Sequence, residues 1–208
     1  MDAKPIDAQY VELQPYEVWA ETEIQTQSLN KGVDLNRLPP YWVDPFRQDH
    51  SNGCAQAVMA SMLVYWGKFK ATPDLAYQFA QNSASNPNLV GGLFGTNWER
   101  VRDVFMAYGL RTKGFNNPDN IKYDAQTLIN TLASYTNRGF PVALILGNGE
   151  LDPGQFGAHW WILCHIDQHE VKLVNDGATV WTYPSSQFLE AWRADGLPWT
   201  HHAGVVIY

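Results

Sequence analysis

The clearest pattern of apolar positions in the chain lies between residues 54 and 67. The run before it, Asp49 to Gly53, is polar and typical of a turn, and Gly67 supplies a common helix end. Between them, apolar side chains recur at spacings of three and four residues, at Ala55, Val58, Met59, Met62, Leu63 and Trp66. This spacing predicts a buried helix that begins at or near Cys54.

Three more helical segments are predicted in the first two thirds of the chain. They cover residues 72 to about 81, 96 to 109 and 124 to 137, each opening with polar residues that suit a helix start. Pro73 occupies the first turn of the first segment, and Gly109 ends the second.

After residue 140 the pattern changes to short runs rich in apolar residues, which are typical of strands. Strands are predicted at residues 141–146, 160–166, 170–175, 179–183 and 203–208, with a helix at 185–193. The second and third of these strands form a hairpin that turns at Asp167-Gln168-His169. Because helices come first and antiparallel strands last, we predict an α+β fold.

The length of 208 residues suits one domain with a sizeable core. Residues 1–40 are polar and rich in Gln, Glu and Pro, with one alternating stretch at 18–24 that suits a strand. We interpret residues 1–40 as an N-terminal arm, either a linker or a pro-like segment. Residues 41–208 then form the domain.

Charge and composition narrow the classes of function. The formal net charge of -7 argues against binding nucleic acid through its phosphates, which requires clustered Lys and Arg. No apolar run is long enough for a membrane span, and the first residues carry no signal-peptide pattern. We therefore expect no membrane partner. The expected location is the producer's cytoplasm, with specialised export into a target cell as the other option.

Two cysteines, Cys54 and Cys164, are too few for a disulfide framework and lack the spacing of a zinc site. His201 and His202 are adjacent rather than one helical turn apart, so they also make a poor metal site. No metal or other cofactor is predicted.

Cys54 is the candidate nucleophile. At a helix N-terminus, backbone N–H groups without helical partners and the positive end of the helix dipole favour a thiolate. The alternative is a structural role, because an unpaired cysteine more often behaves as a small buried apolar residue. The other residues of the chain must decide between the two.

His159 is the candidate base among six histidines. It follows a Gly-rich loop and opens an apolar strand, so the sheet would hold the ring while leaving it at a cleft. A purely structural role is the alternative. Of the others, His165 lies inside a strand and His169 lies in a turn where we expect it to be solvated.

Asp176 and Gln48 complete the candidate site. Antiparallel pairing of the hairpin returns Asp176 towards His159, where a carboxylate could accept the Nδ1–H and fix the tautomer. An aspartate before a glycine is also common in turns, and the neighbouring Asn175 is a weaker candidate. Gln48 lies six residues before Cys54 and could donate its amide to an oxyanion together with the Cys54 N–H.

Together these segments resemble the papain-like cysteine peptidases, and within them the C39-like group. The resemblance rests on Gln48 and Cys54 at a helix start, Tyr65-Trp66-Gly67 at its end, the Gly-x-His-Trp strand containing His159, and Asn175-Asp176. It covers roughly residues 40 to 195. It implies a papain-like fold, with the cysteine-bearing helix of a helical N-terminal half packed on a C-terminal antiparallel sheet.

The sequence departs from the family pattern at two positions. Ala55 follows the cysteine where the family has Gly, and Gly177 follows the aspartate where it has Pro. The Gly-Cys-Ala segment before a long helix also resembles streptopain-type bacterial enzymes. The Cys-Gly-Ser-Cys-Trp signature of papain is absent, so cathepsin-like substrate preferences do not carry over.

These observations lead to one main hypothesis and two alternatives. The main one is a cysteine protease that cleaves a protein or peptide substrate. The resemblance to compact bacterial papain-like domains adds a role as a toxin or effector that travels with a cognate inhibitor (immunity) protein. The alternatives are a deamidase, transglutaminase or peptidoglycan amidase with the same residues, and a binding module without catalysis.

Overall fold

A six-stranded antiparallel sheet organises the computed structural model, which describes residues 32–39, 53–72, 75, 96–116, 124–147, 151, 157–174, 180–194 and 202–208. The strands are β1 (Thr112–Phe115), β2 (Val142–Gly147), β3 (Ala158–Ile166), β4 (Glu170–Val174), β5 (Val180–Pro184) and β6 (Gly204–Ile207). Their order across the sheet is β1-β6-β2-β3-β4-β5. Strand β6, near the C-terminus, therefore lies between β1 and β2, inside the sheet rather than at an edge.

Four α-helices pack on this sheet within the described residues: α1 (Cys54–Tyr65), α2 (Trp98–Ala107), α3 (Ala125–Thr136) and α4 (Ser185–Arg193). Polar caps explain two of the starts. Asn97 Oδ1 accepts the Arg100 N–H at 3.0 Å, and Asp124 Oδ2 accepts the Thr127 N–H at 2.9 Å. The predicted helices at 96–109 and 124–137 are thus confirmed, as is the one at 185–193.

Alternation along the strands divides the core into two layers. On one face, Trp160, Ile162 and Val205 belong to a cluster that α1 and α2 cover. On the other face, Trp161 and Leu163 belong to a cluster that α3 and α4 cover. The sheet is therefore buried on both sides, which explains why β2 is fully buried along its length.

Helix α1 is buried around almost its whole circumference, not along one stripe as the spacing suggested. Ala57, Ala60 and Ser61 lie off the predicted stripe and are nevertheless buried, while Trp66 at the C-cap is only half-buried. Small side chains let the sheet and α2 approach this helix closely from several directions. The predicted start at Cys54 and the predicted burial are confirmed.

The β3–β4 hairpin turns where the sequence predicted, at residues 167–169. Asp167 Oδ1 accepts the N–H groups of His169 at 2.7 Å and Glu170 at 2.9 Å, and its Oδ2 lies 3.3 Å from His165 Nε2. The Ser185 hydroxyl, at the start of α4, donates to the Asp167 carbonyl at 2.7 Å. The turn that aligns β3 with β4 is therefore fixed to α4 as well.

These contacts make a testable prediction for acid stability. The N–H donors of Glu170 and His169, and then His165, lower the pKa of Asp167 from 3.8 to about 2. A lowered folded-state pKa stabilises the fold above about pH 4, and this contribution is lost as the pH falls through about 2. In urea unfolding, Asp167→Asn should be less stable than wild type near neutral pH, and the difference should shrink between about pH 4 and 2. An unchanged difference over that range would contradict the assignment.

The remaining predictions for the fold divide into three groups. The strands at 141–146, 179–183 and 203–208 are confirmed with shifts of one residue at their ends. The edge strand β1 was not predicted. The helix at 72–81, except Thr72 and Leu75, and the strand at 18–24 lie outside the described residues, so the boundary of the arm stays a prediction. Among the described residues, no helix has the length and apolarity needed to span a bilayer.

One part of the predicted arm is described, and it packs on the domain. Leu38 is buried in the same core cluster as α1. Arg37 Nη2 donates to the carbonyl of Tyr65 at 2.7 Å, at the end of that helix. Residues 32–39 therefore pack against the domain core.

Candidate active site

Cys54 is the first residue of α1, as predicted from the sequence. Gly53 is the N-cap and provides no side-chain cap, and the Ala57 N–H closes the first turn on the Gly53 carbonyl at 3.0 Å. The positive end of the α1 dipole therefore lies at the turn that carries Cys54. The Cys54 side chain is half-buried and packs against the core cluster on the α1 face.

His159 is the second residue of β3 and pairs with Leu146 of β2. Its ring is half-buried and meets the indole of Trp161 edge to face, with 5.7 Å between centroids. Alternation places this ring with Trp161 on the α3–α4 face, while Ala158 and Trp160 lie on the α1 face. Since His159 is one residue from the end of its strand, any contact with Cys54 would form around that end of the sheet.

Thr96 links the starts of α1 and β3. Its hydroxyl accepts from Gln56 Nε2 at 3.4 Å, and its carbonyl accepts from Trp160 Nε1 at 2.9 Å, both in buried surroundings. Gln56 is two residues after Cys54, and Trp160 directly follows His159. The Cys54 end of the helix and the His159 end of the strand are therefore joined through one residue.

The far ends of the same two elements are also close. Tyr65 and Cys164 are both buried in the core cluster on the α1 face of the sheet. Tyr65 ends α1, and Cys164 is near the end of β3. The helix and the strand thus run side by side in the same direction, with Cys54 and His159 at their starts.

Gln48, Asp176, Asn175, His50 and His201 lie outside the described residues. The last described pair of the hairpin joins Ile162 to Val174, two residues before Asp176 in the chain. The roles assigned to Gln48 and Asp176 therefore remain predictions.

Three other histidines lie in the hairpin or in the core. His165 is half-buried beside Asp167, and His169 is exposed in the turn, as the sequence predicted. His202 is buried against the indole of Trp192, with 5.0 Å between ring centroids. The backbone N–H of His202 donates to the Trp192 carbonyl at 3.0 Å. These contacts assign His165 to the hairpin and His202 to the packing of α4 on β6.

The second cysteine differs from Cys54 in its burial. Cys164 is buried in β3, and burial raises the pKa of its thiol to about 12. It is therefore a neutral thiol at physiological pH and a poor nucleophile. Cys54 and Cys164 are not joined in a disulfide.

Gln56 and Thr96 are the two residues near the site that the sequence analysis missed. The signal for Gln56 was present, since it is the one amide side chain in a mostly apolar helix. Thr96 gave no signal, because its role depends on partners 40 and 64 residues away. Within the described ranges, no three His, Cys, Asp or Glu side chains are grouped so that they could hold a metal ion.

The architecture is that of a cysteine peptidase of the papain-like class. A Bacillus anthracis protein described as a C39-like peptidase superposes with a TM-score of 0.55 at 14% identity, covering 86% of this chain and 98% of that one. A double glycine motif protease from an AMS/PCAT transporter, solved with its leader peptide, gives a TM-score of 0.47 at 15% identity, with coverages of 85% and 95%. No curated protein sequence matches the chain.

The family follows from the sequence itself. The model of the Peptidase_C39 like family matches residues 42–197, most of the chain, and the chain belongs to that family. The predicted α+β, papain-like fold and the predicted cysteine peptidase activity are thereby confirmed.

Proposed function

We propose that Cys54, His159 and Asp176 form the catalytic triad of this peptidase and that Gln48 completes its oxyanion hole. The observation that supports this most is the alignment of α1 with β3, whose starts are tied together through Thr96. Cys54 and His159 occupy those starts, and both are half-buried, so a substrate could reach them.

The reaction proceeds in two halves. The Cys54 thiolate attacks the carbonyl carbon of the scissile amide, and the resulting oxyanion accepts hydrogen bonds from the Cys54 N–H and the Gln48 amide. His159, as the imidazolium, gives its proton to the leaving amine, and a thioester to Cys54 remains. His159 then takes a proton from water, which attacks the thioester and releases the acid and the Cys54 thiolate, so the thiolate–imidazolium pair is restored. Asp176 accepts the His159 Nδ1–H throughout.

Hydrolysis of a peptide bond in a protein substrate is the reaction we propose. It is tested by incubating the protein with an unfolded, reduced polypeptide and reading the products by mass spectrometry, with Cys54→Ala as the inactive control. New chain ends that depend on Cys54 would support the proposal. A mass gain of about one dalton at glutamine, without chain cleavage, would instead identify a deamidase and overturn it.

We further propose that the peptidase acts as a toxin or effector inside a target cell and that the producer makes an inhibitor protein that covers the site. The support is its resemblance to compact bacterial papain-like domains. Production of the wild type inside a target cell should reduce viability, and Cys54→Ala should not. Harmless production of active enzyme in that cell would refute this role without affecting the proposed reaction.

A further inference from the structure

Gln56 is buried in a way that stability alone does not explain. Only 5% of the residue is exposed, and its Oε1 has no hydrogen-bond partner among the described residues. Its Nε2 donates a long bond, 3.4 Å, to the Thr96 hydroxyl. An apolar side chain of the same volume would avoid the cost of the unsatisfied oxygen. A buried amide that is only half satisfied, two residues after Cys54 in the first turn of α1, indicates a role in the site.

Thr96 is the residue through which that amide acts. It is 4% exposed and directly precedes Asn97, the N-cap of α2. Its carbonyl holds the indole N–H of Trp160 at 2.9 Å. Because α2 anchors Thr96, the first turn of α1 and the start of β3 are both held to a fixed third element. Neither can shift relative to the other without breaking a buried hydrogen bond.

We propose that Gln56, Thr96 and Trp160 form a positioning bridge that fixes Cys54 relative to His159. This inference rests on the proposed function, because it assumes that the two residues act as a pair. The bridge does not touch the substrate. It controls the separation of thiol and imidazole, on which the thiolate–imidazolium pair depends steeply. None of its three side chains titrates near neutral pH. Any change that their substitution causes in a pH profile therefore acts through Cys54 and His159.

The ionisation of Cys54 can be measured without any substrate. The rate of alkylation by iodoacetamide as a function of pH reports the thiolate fraction. Cys164 does not interfere below about pH 10, because burial raises its pKa to about 12. Wild type should alkylate well below pH 8, because an imidazolium partner lowers a thiol pKa. His159→Ala provides the reference for a broken pair.

Thr96→Val removes the hydroxyl that Gln56 contacts and keeps the size of the side chain. We expect its alkylation rate at about pH 6 to fall roughly tenfold while the rate at high pH is unchanged, a shift of about one pKa unit towards His159→Ala. Thr96→Ser retains the hydroxyl and should restore the wild-type profile. Gln56→Met, which fills the same space without an amide, should repeat the Thr96→Val result. With a peptide substrate, both should lower kcat and leave KM unchanged.

The outcomes separate the inference from the function on which it rests. If His159→Ala shifts the profile and neither Thr96→Val nor Gln56→Met does, the bridge is wrong and the Cys54–His159 pair stands. If His159→Ala has the wild-type profile, the pair itself is wrong, and the bridge falls with it. A shift in both bridge variants that Thr96→Ser reverses supports the inference.

Discussion

Replacement of Cys54 by alanine is expected to lower kcat/KM by a factor of about 10⁴ or more, the usual effect of removing a covalent nucleophile. The side chain is the only thiol in the described structure at the start of a buried helix, where the dipole favours the thiolate. The fold should persist, because alanine suits the first turn of a helix and the lost side chain is small. Activity is measured on the substrate found by mass spectrometry, and folding by circular dichroism and thermal unfolding.

Cys164→Ala is the matched control. It removes the other sulfur, which is deep in β3, and should leave kcat/KM unchanged. Its effect should appear in stability, because emptying a small buried volume costs about 1–2 kcal/mol. Full activity in Cys54→Ala, or loss of activity in Cys164→Ala without unfolding, would contradict the assignment of the nucleophile.

Local sequence patterns were sufficient to locate most elements. The polar run before Cys54 marked the start of α1, and the turn at Asp167 marked the hairpin, because the residues that cap or turn the chain are adjacent in sequence to the elements that they end. The same is true of the start of α3 at Asp124. At Asp167 and Asp124, the side-chain hydrogen bonds that fix the boundary span two or three residues.

Features that depend on distant partners could not be predicted. Strand β1 has the sequence Thr-Lys-Gly-Phe, which has little strand character, and it exists because Lys113 and Gly114 pair with Val206 and Val205. The bridge at Thr96 is of the same kind, since its partners are 40 and 64 residues away. The complete burial of α1 also arises from packing rather than from its own pattern.

The candidate site combines a feature that local sequence predicts with one that depends on the fold. The identity and place of Cys54 followed from local pattern, and family membership supports its role. The place of His159 at the start of β3 was predicted within two residues, but the face towards which it points was not considered. Alternation puts the ring with Trp161 rather than with Trp160, so the proposed pair would have to meet at the end of the sheet. That geometry makes His159 the residue whose replacement is most informative.

Replacement of His159 by alanine is expected to lower kcat/KM by a factor of about 10³ near neutral pH and to change the shape of the pH profile. In the proposed pair, the imidazolium would stabilise the Cys54 thiolate, so wild-type activity should reach its plateau below neutral pH. Without the ring, the thiol pKa returns towards about 8.5, and the residual activity should rise as the pH increases through that value. The measurement is kcat/KM from about pH 5 to 10.

His165→Ala is the control for this variant, because it removes the same side chain from the other end of the same strand. His165 pairs with Asp167 at 3.3 Å and is separated from His159 by most of β3, so its loss should leave both the rate and the pH profile unchanged. His159→Ala also loses a ring contact with Trp161 that is worth about 1 kcal/mol. Thermal unfolding measures this loss of stability separately from the loss of activity. If His159→Ala keeps the wild-type rate and profile, another group is the base. The face on which the ring lies would then reflect a packing role, and the alignment of α1 with β3 would have to serve a different pair of residues.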